Sequence, residues 1–226
     1  MIKALIPIKT ESQRLPNKNF LDFCGKPLYQ IILDKLHSID LIDQLIINTD
    51  SELIAEDCAK RYDKLLIIKR PNHLLGNDIT MNAIIDYDLE HVDGEHFLQT
   101  HCTNPLLSEK TIGQAITNYF KSLNEYDSLL SIESIKKRAY TNVGKPINHS
   151  NLNLLPTQLL PEINIENSNL FLFSRTSFSK NNKSRVGAKP QLFKMSALEG
   201  IDIDFKEDFL LAELLYKNKI IFDCFD

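Results

Sequence analysis

Short apolar runs alternate along this chain with longer stretches in which apolar positions recur every three or four residues. Residues 4–8, 44–48, 65–68 and 96–100 are of the first kind and read as buried strands, the last through Phe97, Leu98 and Gln99. Between the first two, Leu28, Ile31, Ile32 and Leu36 keep the helical period. They predict a helix over 27–38, with Pro27 in its first turn, where a missing N–H costs nothing. Thr49, Asp50 and Ser51 supply a cap for a second helix over 52–62. A third helix starts within 77–82, with Asp78 or Thr80 as cap, and ends near His91. Ser108 caps a helix over 108–121, strands follow at 126–132, 166–173 and 191–195, and a last helix covers 206–217. Residues 133–165 break the rhythm: Lys136, Lys137, Arg138, Gly144, Pro146, Pro156 and Pro161 among several asparagines leave no period. The strand and helix spacing of the first third predicts a mostly parallel sheet with helices on both faces. That is an α/β fold, in one domain of residues 1–226 with 133–165 inserted as an arm.

Composition narrows the class. A chain of 226 residues, 43% of them apolar, can build one sizeable core and is short for two. No apolar run approaches the roughly 18 residues of a membrane span. Pro7 and Lys9 cut the first apolar run short, so the N-terminus reads as a strand rather than a signal peptide, and a cytoplasmic protein is expected. The net charge of −4 argues against a nucleic-acid polymer as partner. Charge is unevenly spread, however: Arg175, Lys180, Lys183, Arg185, Lys189 and Lys194 fall in a stretch between Glu166 and Glu199 that holds no acidic residue. Such a segment suits a polyanionic small molecule about as well as it suits a solvated surface. Cys24, Cys58, Cys102 and Cys224 are widely spaced without a C-x-x-C, and no H-E-x-x-H occurs. A disulfide framework and a nitrogen–sulfur metal site are therefore not expected.

Candidate chemistry concentrates in two places. The strand at 4–8 delivers its carboxyl end into a loop carrying Lys9, Ser12, Arg14, Lys18, Asn19 and Lys26, and in open α/β sheets ligands bind at such ends. Arg14 can grip two phosphate oxygens with its planar fork, while Lys18 supplies a movable point charge. Neither G-x-x-x-x-G-K-[ST] nor G-x-G-x-x-G is present, so side chains rather than backbone amides must do the gripping. The second place is the segment from Glu199 to Phe209. Alternation along an extended chain puts Asp202 and Asp204 on one face, just before a helix. The pair reads either as an oxygen site for Mg2+ or as loop and capping carboxylates.

The order Ile6-Pro7-Ile8-Lys9-Thr10-Glu11-Ser12-Gln13-Arg14-Leu15-Pro16-Asn17-Lys18-Asn19, with Gly25-Lys26-Pro27-Leu28 after it, resembles the opening signature of cytidylyltransferases that activate acidic sugars as CMP conjugates. These are the acylneuraminate-type enzymes. Asp202-Ile203-Asp204 with Asp208-Phe209 is similar to that family's metal motif, and the likeness runs from Ile6 to Glu213. The resemblance implies a three-layer Rossmann-like nucleotidyltransferase fold, CTP and an acidic, nonulosonic-type sugar as substrates, Mg2+ on Asp202 and Asp204, and a homodimer built by the 133–165 arm. It assigns Arg14, Lys18, Asp202 and Asp204 to catalysis, and Lys9, Ser12, Arg14, Lys18, Asn19, Arg70 and Asn82 to the nucleotide, with Met81 near the base or ribose. Gln99 falls where the family contacts the sugar, and the lengthened corner leaves Gln99, His101, Thr103 and Asn104 as alternatives for the side chain that points inward to it. Lys9 stands where the family most often has arginine, Ser168 replaces a glycine, Phe171 replaces a tyrosine, and the corner 99–106 is two residues longer. Phe171 and Phe173 read as core residues. No Asp or Glu lies between Glu95 and Glu109, which argues against the octulosonate branch. The competing readings are a D-x-D nucleotide-sugar glycosyltransferase and a non-catalytic nucleotide-binding protein on the same fold.

Overall fold

A computed structural model of the chain describes residues 1–76 and 78–218; Cys224, and Asn77 in the segment expected to open the third helix, lie outside the described residues. The centre is β1 (Ile2–Ile8), whose alternating side chains serve two cores. Ala4, Ile6 and Ile8 turn to one face, where α1 (Leu28–Ser38), α2 (Glu52–Arg61) and α4 (Glu109–Lys121) cover them through Ile32, Leu36, Ile54, Ile112 and Ile116. Leu5 turns to the other face, under Ile85 and Leu89 of α3 (Met81–Glu90) and Phe178 of α5 (Arg175–Lys180). This makes three layers, helices, sheet and helices, as the alternation predicts.

The seven-stranded sheet runs β5 (Leu65–Lys69), β4 (Ile42–Thr49), β1, β6 (His96–Gln99), β8 (Ile163–Ser174), β7 (Ser128–Ile135), β9 (Pro190–Lys194). β5, β4, β1 and β6 are parallel, β8 is antiparallel to both neighbours, and β9 is parallel to β7. The carboxyl ends of the four parallel strands therefore open on one edge, at Ile8, Thr49, Lys69 and Gln99.

Several boundaries differ from the sequence expectation for local reasons. Pro27 lies outside the helix, in the hairpin β2 (Asp22–Phe23) and β3 (Lys26–Pro27), and α1 starts at Leu28. Cys24 and Gly25 turn that hairpin with φ of 55° and 91°, the left-handed pair that a two-residue loop requires. Thr80 rather than Asp78 caps α3, its hydroxyl accepting from Ala83 N at 3.2 Å. The inserted arm is shorter than expected, because Glu133 pairs with Ile165 and Ile135 with Ile163, so only residues 136–162 leave the sheet. Ser168, in the glycine's place, has φ of 59°, the conformation that favours glycine.

A third cluster positions the C-terminal segment. Ala212 and Leu215 of α6 (Lys206–Lys217) pack with Ile203, Phe23, Leu28, Ile31 and Leu106. Phe23 meets Phe209 and Tyr216 edge to face at 5.5 and 5.2 Å. With Ile203 wholly buried there and its N–H bonded to Thr103 O at 2.9 Å, the residues on either side of it are held at the sheet's ligand edge.

Candidate active site

The loop after β1 is pinned before it reaches any ligand. Thr10 donates to Asp50 Oδ1 at the end of β4 through its N–H (2.8 Å) and its hydroxyl (3.1 Å). Asn19 Nδ2 donates to Lys9 O at 2.8 Å, and Cys102 Sγ to Asn19 Oδ1 at 3.1 Å. Asn17, with φ of 54°, starts a short helical turn over Lys18–Phe20, and Lys18 points inward from it. Lys18 Nζ donates to Ile203 O and, at 3.3 Å, to Asp204 Oδ1, while Arg14 Nη1 donates to Asp204 Oδ2 at 2.6 Å. Two segments from opposite ends of the chain thus meet as one group of charges.

Because Ile203 is anchored in the core, Asp202 and Asp204 both face the cleft. Burial pushes the Asp202 carboxyl above its ordinary range, and the Asp204 charge adds to this, whereas the bond from Thr103 and the Lys18 and Arg14 charges pull it back. Asp202 Oδ1 is buried and has no partner among the described residues. An orphaned carboxylate oxygen beside a second carboxylate suits a hard cation that takes few protein oxygens and completes its shell with water and phosphate. Among the described residues no group of three or more His, Cys, Asp or Glu is arranged to hold a metal.

A cleft of about 410 Å³ runs through this group. Of the residues singled out in the sequence, Lys9, Ser12, Arg14, Lys18, Asn19, Arg70, Met81, His101, Asp202 and Asp204 line it. Leu74, Ile79 and Ile84 add apolar wall beside Arg70. The buried Arg70 is held from behind, its Nε donating to Asn48 Oδ1 at 2.7 Å and its Nη2 to Asn48 O at 2.8 Å. Cys24, Cys58 and Cys102 are free thiols.

Three expected contacts fall behind the wall instead. Asn104 is buried and donates to Asn169 Oδ1, which stitches the 99–106 corner to β8 and takes its carboxamide out of the cleft. Asn82 Oδ1 accepts from Arg185 N at 3.3 Å. Gln99 is fully buried, with Nε2 donating to Thr100 O at 3.0 Å and Oε1 accepting from Arg185 Nη1 at 2.5 Å. His101 does line the cleft. Burial, with Arg185 and Lys18 nearby, lowers its imidazole to about 4, so the neutral ring accepts from Gln99 Nε2 at 3.2 Å. Arg185 belongs to none of the sequence motifs of the site. It lies 3.6 Å over the Phe171 ring, and the basic stretch that contains it was the available signal.

Residues 3–222 match a family model described as cytidylyltransferase. The N-acylneuraminate cytidylyltransferase of Streptococcus agalactiae serotype III is 22% identical over 219 residues, covering 92% of this chain and 51% of that protein. The pseudaminic acid cytidylyltransferase of Campylobacter jejuni is 24% identical over 128 residues, 54% of this chain and 55% of that protein. The chain spans about half the length of the curated relatives it matches first. A solved CMP:2-keto-3-deoxy-manno-octonic acid synthetase complexed with CTP has the same fold, with a TM-score of 0.72 at 14% identity over 96% of this chain and 99% of that one.

Proposed function

The chain belongs to the cytidylyltransferase family, and on that premise we propose that it transfers CMP from CTP to the anomeric hydroxyl of an acidic, nonulosonic-type sugar and releases pyrophosphate. The observation that carries this reading is the meeting of Arg14 and Lys18 with Asp204, beside the orphaned oxygen of Asp202, in the cleft that Arg70 also lines. Phosphoryl transfer asks the protein mainly for positioning and charge control. Arg14 and Lys18 would take the triphosphate oxygens. Arg14 is 58% exposed, so its ion pair with Asp204 is worth little and exchanges readily for phosphate. Lys9 would add a single contact where arginine would make two.

Asp202 and Asp204 would hold magnesium, for which two hard carboxylates with an unpaired oxygen are a fitting donor set. Bound there, the ion would neutralise phosphate charge and polarise the sugar hydroxyl. Arg70, with Leu74, Ile79, Met81 and Ile84 around it, suits the base and ribose, an apolar wall with one directed polar group. His101 would face the sugar, with Gln99 behind it holding Arg185, whose positive charge would favour the sugar's carboxylate. Exposed Val143, Ile147, Leu152, Leu154 and Leu159 on the 136–162 arm support a homodimer. No helix among the described residues is long and apolar enough to cross a membrane. A CTP-consuming enzyme would work in the cytoplasm, where CTP is made.

The test is pyrophosphate release with CTP, Mg2+ and a panel of 2-keto sugar acids, with UTP and ATP run in parallel. At least one acid should turn over, with CTP preferred. Tight CTP binding without turnover on any acid leaves the non-catalytic reading, and turnover of a nucleotide sugar in the absence of CTP leaves the glycosyltransferase.

A further inference from the structure

Behind Arg70 lies a buried polar relay that none of the steps above uses. Asn48 in β4 and Asp88 in α3 are 0% and 1% exposed. Asn48 Nδ2 donates to Asp88 Oδ1 at 2.5 Å, and its Oδ1 accepts from Arg70 Nε at 2.7 Å. The face around them is apolar, with Leu5, Ile46, Ile68, Ile85, Leu89 and Phe97. Polar groups in such a place are destabilising unless each is paired, yet Asp88 Oδ2 is buried with no partner among the described residues. Apolar side chains of the same volume would serve the core better, so folding alone does not account for the relay.

We propose that Asp88 is a positioning residue for nucleotide binding: its carboxylate orients the Asn48 amide, and that amide holds the Arg70 guanidinium at the cleft. The proposal rests on the reading of this cleft as a nucleotide site. An amide has a donor end and an acceptor end, and what faces one end decides the other. An ionised Asp88 can only accept, so the Asn48 NH2 must turn to it and the oxygen is left for Arg70. A protonated Asp88 can donate, which allows the amide to flip and set its NH2 against the Arg70 N–H. The charged and titratable groups facing Asp88 are Arg70, from the end of β5, and His91, at the end of its own helix, while β4 brings the neutral Asn48. Burial raises the Asp88 carboxyl to about 7, with the Asn48 bond, Arg70 and His91 pulling it down. Above that pH the amide oxygen holds Arg70 Nε, and as pH falls through it that bond is lost, leaving Arg70 the bond from Nη2 to the Asn48 backbone carbonyl.

Calorimetric titration of CTP into the wild type, Asp88→Asn and Asn48→Ala at about pH 8 and about pH 6 tests this. Asp88→Asn keeps the shape and a hydrogen-bond acceptor but no longer dictates which way Asn48 turns. Each variant should bind CTP roughly tenfold more weakly at the higher pH, the worth of one charge-assisted hydrogen bond, and the double variant no more weakly still. The wild type should fall toward the variants at the lower pH. CTP's own titration is common to all the proteins and cancels in the ratios. Wild-type affinity in Asp88→Asn at the higher pH, or an unchanged pH step, overturns the proposal. Nitrogen-15 NMR of the ligand-free protein decides it independently of CTP: the Arg70 Nε–H should be protected at the higher pH in the wild type and unprotected in Asp88→Asn. A wild type that binds no CTP would end the nucleotide reading, and the NMR result would still stand for or against the relay.

Discussion

Asp204 is reached on both oxygens by Arg14 and Lys18 and packs no core, so its charge can be removed without opening a cavity. In Asp204→Asn turnover should fall by about 100-fold or more if the proposed cation loses one of its two carboxylates, while the melting temperature stays within about 2 °C. Near-normal pyrophosphate release in that variant would remove the metal assignment. Asp88 behaves in the opposite way because it is buried. Its folded value, about 7, lies above the ordinary carboxylate value, so the folded state holds a proton that the unfolded chain has already given up. The stability this contributes is complete below about pH 4 and is lost as pH rises through about 7. At about pH 8 an ionised Asp88 therefore burdens the fold, and Asp88→Asn should melt a few degrees higher than the wild type, the gap closing toward about pH 5. A variant that melts lower at the higher pH would contradict the burial argument. The same substitution is expected to raise stability and weaken CTP binding, which is the signature of a residue kept for its site.

At the scale of elements, the segment that carries the aspartates is tied to α4 as well as to α6. The Glu199 carboxylate accepts from Ser108 N at 3.0 Å and from Thr111 Oγ1 at 2.7 Å, an anion at the positive end of α4. The Glu199 carbonyl accepts from Asn169 Nδ2 at 3.1 Å. Glu199→Ala should cost about 1–2 kcal/mol, seen as a melting temperature lower by roughly 5 °C, because two donors lose their partner and the helix end its charge. Turnover should fall further than CTP affinity, since the loosened segment carries the carboxylates and not Arg70. Equal losses in both would show that Glu199 holds the whole cleft rather than this segment. The ties also explain what the sequence makes legible. Long helices and buried strands announce themselves because each buries a periodic face, as Leu28, Ile31, Ile32 and Leu36 do in α1. The hairpin β2–β3 spans two residues a strand and carries no period, and α5 is six residues long, with Phe178 its buried hydrophobic anchor. Arg14, Lys18, Asp202 and Asp204 stand out by chemical type and motif. Asn48 and Asp88 do not, because they lie 40 positions apart and either alone reads as an ordinary polar residue. The corner at 99–106 misleads for a related reason: its inward or outward direction is set by Asn169 and Arg185, on strands and loops that come later in the chain.

For the molecule as a whole, the cleft of a single chain brings together the cations and the carboxylates, but residues 136–162 stand apart from that arrangement. This arm is braced internally, with Arg138 Nη2 donating to Leu155 O at 2.6 Å and Asn148 Nδ2 to Lys137 O and Pro161 O at 2.9 and 3.1 Å. Bracing of this kind fixes a shape, yet the shape presents Val143 at 82%, Leu152 at 99% and Leu159 at 64% exposure. A braced segment with its apolar side chains outward gains nothing from folding alone and gains most by burying them against another surface. A second copy of the chain is the partner that the family resemblance implies, and a symmetric pair would place each arm against the other subunit. Sedimentation equilibrium at micromolar concentration should therefore give a dimer. Leu152→Lys with Leu159→Lys should shift it to monomer, because two charges would have to be buried unpaired at the contact. The residues that line the cleft belong to one chain, so the monomeric variant should bind CTP within about threefold of the wild type. If the partner's arm helps enclose the sugar, the same variant should lose turnover through a raised KM for the acidic sugar rather than for CTP. A wild type that sediments as monomer alone would leave the arm without a partner, and a monomeric variant with unchanged sugar kinetics would confine the whole reaction to one subunit.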